Sequence, residues 1–314
     1  MELVNNGARA LQLTTLRAAV RDHEGRIVQR LELNGNGGLP GITTIADRTW
    51  NPGEAQTIFN PFHTLAPDIP LGRIDMEFVF NAGGDTTLTE RLEVRPQPYV
   101  QRTALVMPMP GRVLVWDGHD FYSHHRRWDF SPPTMKRLGI VTNPGRYSLD
   151  LVVVDQDGLF HSGEGDTRDQ HFSYGALIIA PGDGTVVAMA NDASNEPSEP
   201  TMESFLSDPM LAIYGNYVVI DHGNGEFSQL GHLKQGSVRI RVGDRVRQGQ
   251  PIAQAGASGT SLFPHLHYQL TNAPGIHAEG LPPRFSELYR VLGSSRNLET
   301  DAWIDSGDII ESRP

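Results

Sequence analysis

Along much of the chain apolar and polar positions alternate with a period of two, the pattern of strands buried on one face. Ile74, Met76, Phe78 and Phe80 alternate with polar residues except at Val79 and predict a strand. The turn Asn81-Ala82-Gly83-Gly84-Asp85 follows. Leu88, Leu92 and Val94 then mark a return strand, with Glu90 as the exception, so the two runs predict a β-hairpin. Arg26 to Leu33 fits another strand. Further on, Tyr217 to Asp221 and Glu226 to Leu230 flank the Gly-rich turn His222-Gly223-Asn224-Gly225, a second hairpin. Val242 to Ala253 alternates short apolar steps with glycine turns. One helix is expected near Arg284 to Leu292, and helices are otherwise scarce. The fold class this implies is all-β and mainly antiparallel, with few short helices.

Two breaks organise the chain. Arg95-Pro96-Gln97-Pro98-Tyr99 reads as a linker, because closely spaced prolines favour extended, unpaired backbone. It separates a β-sandwich-like accessory domain, 1–98, from a larger β domain, 99–314. Asp192 to Pro200, rich in Asn, Ser, Glu and Pro, reads as a surface loop.

Composition narrows the function classes. The chain has 314 residues, enough for two domains, and its 33 glycines and 22 prolines favour many strands joined by turns. A net charge of −11 argues against nucleic acid as a partner, because phosphate neutralisation needs clustered Lys and Arg. It equally disfavours adhesion to an anionic lipid surface. With no cysteine, disulfides and thiolate metal sites are excluded, so a bound metal must be held by His, Asp or Glu. No apolar run approaches the ~20 residues of a membrane span, so no integral membrane segment is expected. Met1-Glu2-Leu3-Val4-Asn5-Asn6 shows neither a basic nor an apolar leader region, so no signal peptide is visible.

The candidate chemistry centres on Pro264-His265-Leu266-His267-Tyr268-Gln269-Leu270. On a strand, His265 and His267 point to one face and Leu266 and Tyr268 to the other. Two imidazoles on one spot can hold a divalent metal together, or one can hold it while the other works beside it. By spacing alone, a polar strand face is the more ordinary explanation.

Wider context comes from Tyr214 to Leu270. Gly215 to Gly225, Leu230-Gly231-His232-Leu233, the Val242 to Ala253 turns, Gly256-Ala257-Ser258-Gly259-Thr260 and Pro264 to Leu270 follow in an order that resembles the lysostaphin-type (LytM-like) zinc endopeptidases of peptidoglycan. Upstream, Tyr174 to Val187 looks like the strand-turn-strand of that family. The resemblance covers roughly residues 100 to 314. It implies a LytM-like β-sheet peptidase domain over 99–314, a Zn2+ cofactor, a peptidoglycan peptide as substrate and, from that substrate, an extracytoplasmic location.

Carried over residue by residue, the resemblance implies His267 as a metal ligand, with His232 and His265 as catalytic imidazoles. Gln229-Leu230-Gly231 departs from the usual aromatic lead-in to His232. For the remaining ligands, His125-Arg126-Arg127-Trp128-Asp129 satisfies the family's H-x-x-x-D literally but lacks its usual glycine. Arg146-Tyr147-Ser148-Leu149-Asp150 resembles an R-Y-x-x-D element of a subgroup whose ligand His lies upstream, here in Ser123-His124-His125. The favoured metal set is therefore His125, Asp150 and His267, with His124 and Asp129 as alternatives. His161 and His171 lie in an insertion that would rim the cleft, and His222 is a turn residue. His23, His63, His119 and His277 are expected at the surface.

Three other classes remain. A biotinyl- or lipoyl-type carrier would explain the glycine turns, but neither Lys136 nor Lys234 sits in the required hairpin. An inactive envelope scaffold, or regulator of cell-wall hydrolases, typically lacks ligand residues that this chain keeps. A metallopeptidase acting on another peptide would share every feature above.

Overall fold

The computed structural model describes all residues except 36–40, 43, 44, 46, 60, 63, 64, 66, 67, 121, 313 and 314. His63, expected at the surface, therefore lies outside the described residues. The chain divides into two compact units, Met1–Tyr99 and Val100–Pro314.

In the first unit, β1 (Leu11–Arg21), β2 (Ile27–Asn34), β3 (Arg73–Asn81) and β4 (Thr87–Val94) form an antiparallel sheet in the order β2-β1-β3-β4. Ile74, Met76, Phe78 and Phe80 of β3 are all buried, as their alternation requires, and join Leu13, Leu16 and Ala18 of β1 in one core. Trp50 closes that core with its ring edge-on to Phe80, centroids 5.3 Å apart. On the other face, Glu32, Arg17, Glu77 and Arg91 stand directly opposite one another across the four strands.

The second unit is built on an 11-stranded sheet in which every pairing is antiparallel. Its principal strands are β5 (Arg112–Asp117), β6 (Leu149–Val153), β7 (Gly184–Ala190), β8 (Asn216–Asp221), β9 (Phe227–Leu233), β10 (Leu266–Thr271), β11 (Leu288–Leu292) and β12 (Ile309–Ser312). They lie in the order β7-β8-β9-β10-β6-β5-β12-β11. The inner strands are buried on both faces: Leu266, Tyr268 and Leu270 back the sheet while the alternate residues of β10 are equally enclosed. Among the described residues, three short α-helices complete the unit, α1 (Pro133–Arg137), α2 (Met202–Ser207) and α3 (Pro209–Tyr214). Thr201 and Asp208 cap α2 and α3 by accepting from the Ser204 and Leu211 N–H groups.

One expectation fails. Arg284 to Leu292 is not a helix, because Leu288–Leu292 pairs on both sides, with Ser295–Glu299 and with β12. Its buried positions are Phe285, Leu288 and Val291, a spacing of three that imitates a helical face. Gly293, at φ 59°, turns the chain back instead.

Candidate metal centre

Register assembles the site. Across β9, β10, β6 and β5, Gly231 lies opposite His267, His267 opposite Asp150, and Asp150 opposite Asp117. Directly opposed residues of antiparallel strands share a face, so residues far apart in sequence become neighbours. His265, two positions before His267, joins the same face, and its N–H donates to the Gly256 carbonyl. Strict alternation would send His232 to the opposite side from Gly231. A register shift in the β8–β9 pairing and a φ of 57° at His232 break that alternation. Left-handed backbone is costly for a residue with a Cβ and is retained where surrounding structure enforces it. The result is a His232 ring 4.8 Å from that of His265 and 5.7 Å from that of His267, centroid to centroid.

Each imidazole has one nitrogen committed to an acceptor. His125 Nδ1 donates to Asp117 Oδ2 at 2.9 Å, His232 Nδ1 to the Ser258 carbonyl at 2.8 Å, and His265 Nδ1 to the Phe263 carbonyl at 2.8 Å. His267 is reversed, with Nε2 donating to Gln269 Oε1 at 3.0 Å. Those partners fix the neutral tautomers and leave a lone pair on the other nitrogen. His125 Nε2, His265 Nε2 and His267 Nδ1 then face Asp150 Oδ1 at 3.7, 3.4 and 3.2 Å. Lone pairs directed at a buried carboxylate need a positive charge between them, a cation or added protons. Burial opposes the charge on Asp150, yet His125 and His265 hold its carboxyl well below the usual range. Burial lowers His125, and burial with His265 and His267 nearby lowers His232 further. For His265, burial is outweighed by Asp150, which raises it.

A supporting layer fixes these rings. Gln269 Oε1 also accepts from Ser148 Oγ at 3.1 Å and from Tyr214 OH at 3.3 Å. Burial pushes the Tyr214 phenol up to about 12, so it stays a donor. Asp117 Oδ2 accepts from Ser123 Oγ at 2.7 Å and lies 3.0 Å from His124 Nδ1 as well as against His125. Burial opposes its charge, but the two histidines and Ser123 hold it low. Asp117, His124, His125 and Asp150 offer ligand atoms all within 4.8 Å of one another, a group able to hold a metal ion.

Of the residues singled out in the sequence, His125, Asp150, His232, His265 and His267 therefore come together. His124 reaches the same group but is 62% exposed, against 15% for His125. Asp129 is exposed and accepts from the Ser131 N–H. His161 and His171 bridge each other, and the His171 ring stacks on Phe263, which in turn lies beside His265. His222 holds its turn through the Asp183 carbonyl and Ser228 Oγ. His23 and His277 are exposed.

His119 is a correction. It is 1% exposed, its ring set between Trp303 and Tyr147, and its backbone N–H donates to Asp305 Oδ1. Asp117, Gln269 and Tyr214 are the residues that sequence reasoning missed. A faint signal existed for Asp117, which ends the alternating Val113, Val115 run just before the His pair.

The β-sheet scaffold thus gathers histidines and aspartates into one group with the donor atoms to hold a metal ion. Residues 166–277, about a third of the chain, match the model for Peptidase family M23. The match contains His232, His265 and His267; His125 and Asp150 lie upstream of it. Over 75 residues the chain is 44% identical to the peptidoglycan DD-endopeptidase ShyC of Vibrio cholerae, covering 24% of this chain and 16% of that protein. Over 106 residues it is 31% identical to the murein hydrolase activator EnvC of Escherichia coli, covering 34% of this chain and 22% of the relative. The chain thus matches less than a quarter of either relative's length. Among solved structures, the catalytic domain of lysostaphin from Staphylococcus simulans aligns at 21% identity, covering 45% of this chain and 79% of that one, with a TM-score of 0.27. Among the described residues, no helix is long and apolar enough to cross a membrane.

Proposed function

We propose that this chain is a zinc-dependent endopeptidase that hydrolyses peptide cross-links or bridges of peptidoglycan outside the cytoplasm. The observation that carries the reading is the convergence of His125 Nε2, His267 Nδ1 and His265 Nε2 on Asp150, each with its other nitrogen already engaged. The donor set fits zinc: two imidazoles and one carboxylate, oxygen and nitrogen only, with no cysteine in the chain. His125, Asp150 and His267 would hold the ion, oriented by Asp117 and Gln269. When bound, zinc supplies Lewis acidity toward water and the scissile carbonyl.

The chain's own residues do the rest. His232 and His265 keep one nitrogen each free of protein donors on the cluster side, within reach of a reacting peptide. His232, held neutral by burial, accepts a proton or steadies developing negative charge. His265, with Nε2 on the cluster side, is placed to pass a proton to the leaving amine. No H-E-x-x-H element is present, so no glutamate base enters.

The test is metal content and turnover measured on one preparation. Purified protein stripped with a chelator and reloaded with Zn2+ should bind one equivalent and release soluble peptides from purified peptidoglycan. A fully loaded protein that releases nothing sinks the enzyme reading. It would favour a regulatory role, for which the similarity to a murein hydrolase activator is the supporting observation.

A further inference from the structure

A β-bulge sets Trp116 beside the metal centre. In the β5–β6 pairing Val115 lies opposite Leu151 and Asp117 opposite Asp150, so Trp116 is the extra residue between them. A bulge brings two consecutive residues opposite one partner and re-aims their side chains. Asp117 meets His124 and His125, while the Trp116 indole stands next to it, 40% exposed. Its ring lies 6.5 Å from that of His124 and edge-on to Phe263 at 5.0 Å, centroid to centroid. Phe263 in turn lies 5.2 Å from His265 and stacks on His171. Trp116 and Phe263 thus form an aromatic wall that runs from His124 to His265. Neither residue lines the cavity of about 370 Å3 that opens beside His125, His232 and His267, so the wall bounds the cluster on a separate side. Among the described residues, no acceptor takes the Trp116 indole N–H.

We propose that Trp116 is a substrate-contact residue, its indole face stacked on a peptide plane near the bond that is cut and its N–H donating to a carbonyl of that main chain. The inference rests on the reading of the histidine cluster as a peptidoglycan peptide hydrolase and adds a residue to it. Bridges and cross-links built of glycyl or alanyl units present no large side chain. What reaches a wall beside the scissile bond is therefore the main chain itself. A flat indole fits a flat peptide group, and small residues let the two approach to contact. Tryptophan offers that face at low entropic cost, because only two side-chain torsions have to be held. Here Phe263 packs edge-on against the ring and restricts it further. The indole N–H is a donor with no acceptor capacity, which suits a carbonyl oxygen. A contact of this kind is made equally in the bound and the reacting state, so it sets affinity rather than the rate of the chemical step.

Steady-state kinetics on soluble cross-linked peptide fragments of peptidoglycan, with zinc content measured on each preparation, test the contact. Trp116→Ala should raise KM about tenfold or more, while kcat stays within about threefold and zinc remains at one equivalent. Trp116→Phe keeps a flat ring without the N–H and should recover most of that loss. An unchanged KM in Trp116→Ala, or a Phe variant no better than the Ala variant, overturns the proposal. So does a loss of zinc or of kcat in place of the KM effect, which would make Trp116 a support for Asp117 instead. If the zinc-loaded parent cuts nothing, the hydrolase reading fails, and the contact is judged by binding alone. The same fragments should then change the tryptophan fluorescence of the parent and leave that of Trp116→Phe unchanged. No change in the parent, or the same change in both proteins, overturns it.

Discussion

Both units of this chain line up polar side chains by the same device, a row of directly opposed residues across four antiparallel strands. In the first unit the row is Glu32, Arg17, Glu77, Arg91. In the second it is Gly231, His267, Asp150, Asp117. The first row faces water, with Arg17 47% and Arg91 74% exposed, and its charges alternate so that each meets an opposite neighbour. Solvent would compensate any of them. The second row is buried, and its groups are compensated by one another, by neighbouring side chains such as His125, Ser123 and Gln269, and by whatever sits among them. Register can therefore build either a solubilising ladder or a reactive site; burial decides which.

The sharpest way to test that contrast is to remove one member of the buried row. His267→Ala is expected to take bound zinc below about a tenth of an equivalent and to lower turnover more than about a thousandfold. Elemental analysis of the purified variant checks the first, and release of peptides from peptidoglycan checks the second. Zinc retained at full stoichiometry would remove His267 from the ligand set. His265→Ala should separate the roles, losing turnover while keeping metal.

A smaller loss is expected at the end of the row. Asp117→Asn keeps the shape but weakens the acceptor that orients His125 Nδ1 and His124 Nδ1. Removing such supporting partners generally costs about 10–100-fold in metal affinity. Competition with a chromophoric chelator measures it. Comparing His124→Ala with His125→Ala in the same assay sharpens the choice between two adjacent imidazoles that share Asp117. If His125 is the ligand, its loss should dominate.

How far the sequence disclosed this site follows from the range of each signal. His265 and His267 were legible because a period of two on a strand is local, and the glycine turns and the R-Y-S-L-D segment gave them a family context. The alternating β3 residues identified a buried face for the same reason. Asp117 was legible only as the end of an alternating run; its place in the site depends on the β5–β6 register, which no local pattern encodes. Gln269 looked like one more polar strand residue until Ser148, Tyr214 and His267 converged on its oxygen. His119 passed for a surface residue because only tertiary packing between Tyr147 and Trp303 buries it. The Arg284 to Leu292 segment misled for a related reason: its buried positions are three apart, and pairing on both edges decided the backbone.

His119 supplies a third comparison, buried but outside the row. Burial pushes its imidazole from the ordinary 6.5 down to about 3, with Arg126 acting in the same direction. The folded value lies below the unfolded one, so the unfolded chain takes up the proton first. The contribution is whole above pH 6.5 and is lost as pH falls toward about 3. At the acid end the loss is on the order of several kcal/mol. Thermal unfolding followed from pH 7 to pH 4 should show a shallower decline in His119→Phe than in the parent, since the variant removes one titrating group. Identical slopes would show that His119 protonates without opposing the fold.

The smallest effect belongs to the exposed ladder and closes the contrast. Arg91 donates to Glu77 at 2.9 Å, a good geometry, but the guanidinium is largely in water and the pair gives back side-chain entropy to hold that geometry. Arg91→Gln is therefore expected to change stability by less than about 1 kcal/mol, the usual worth of an exposed ion pair. In a domain of this size that is a shift of less than about 4–8 °C in melting temperature, and it should vanish in roughly 1 M salt, where the screening length falls to about 3 Å. A loss several times larger, persisting in high salt, would mean that the outer face of this sheet is not solvated and that its charges are as dependent on their partners as Asp150 is.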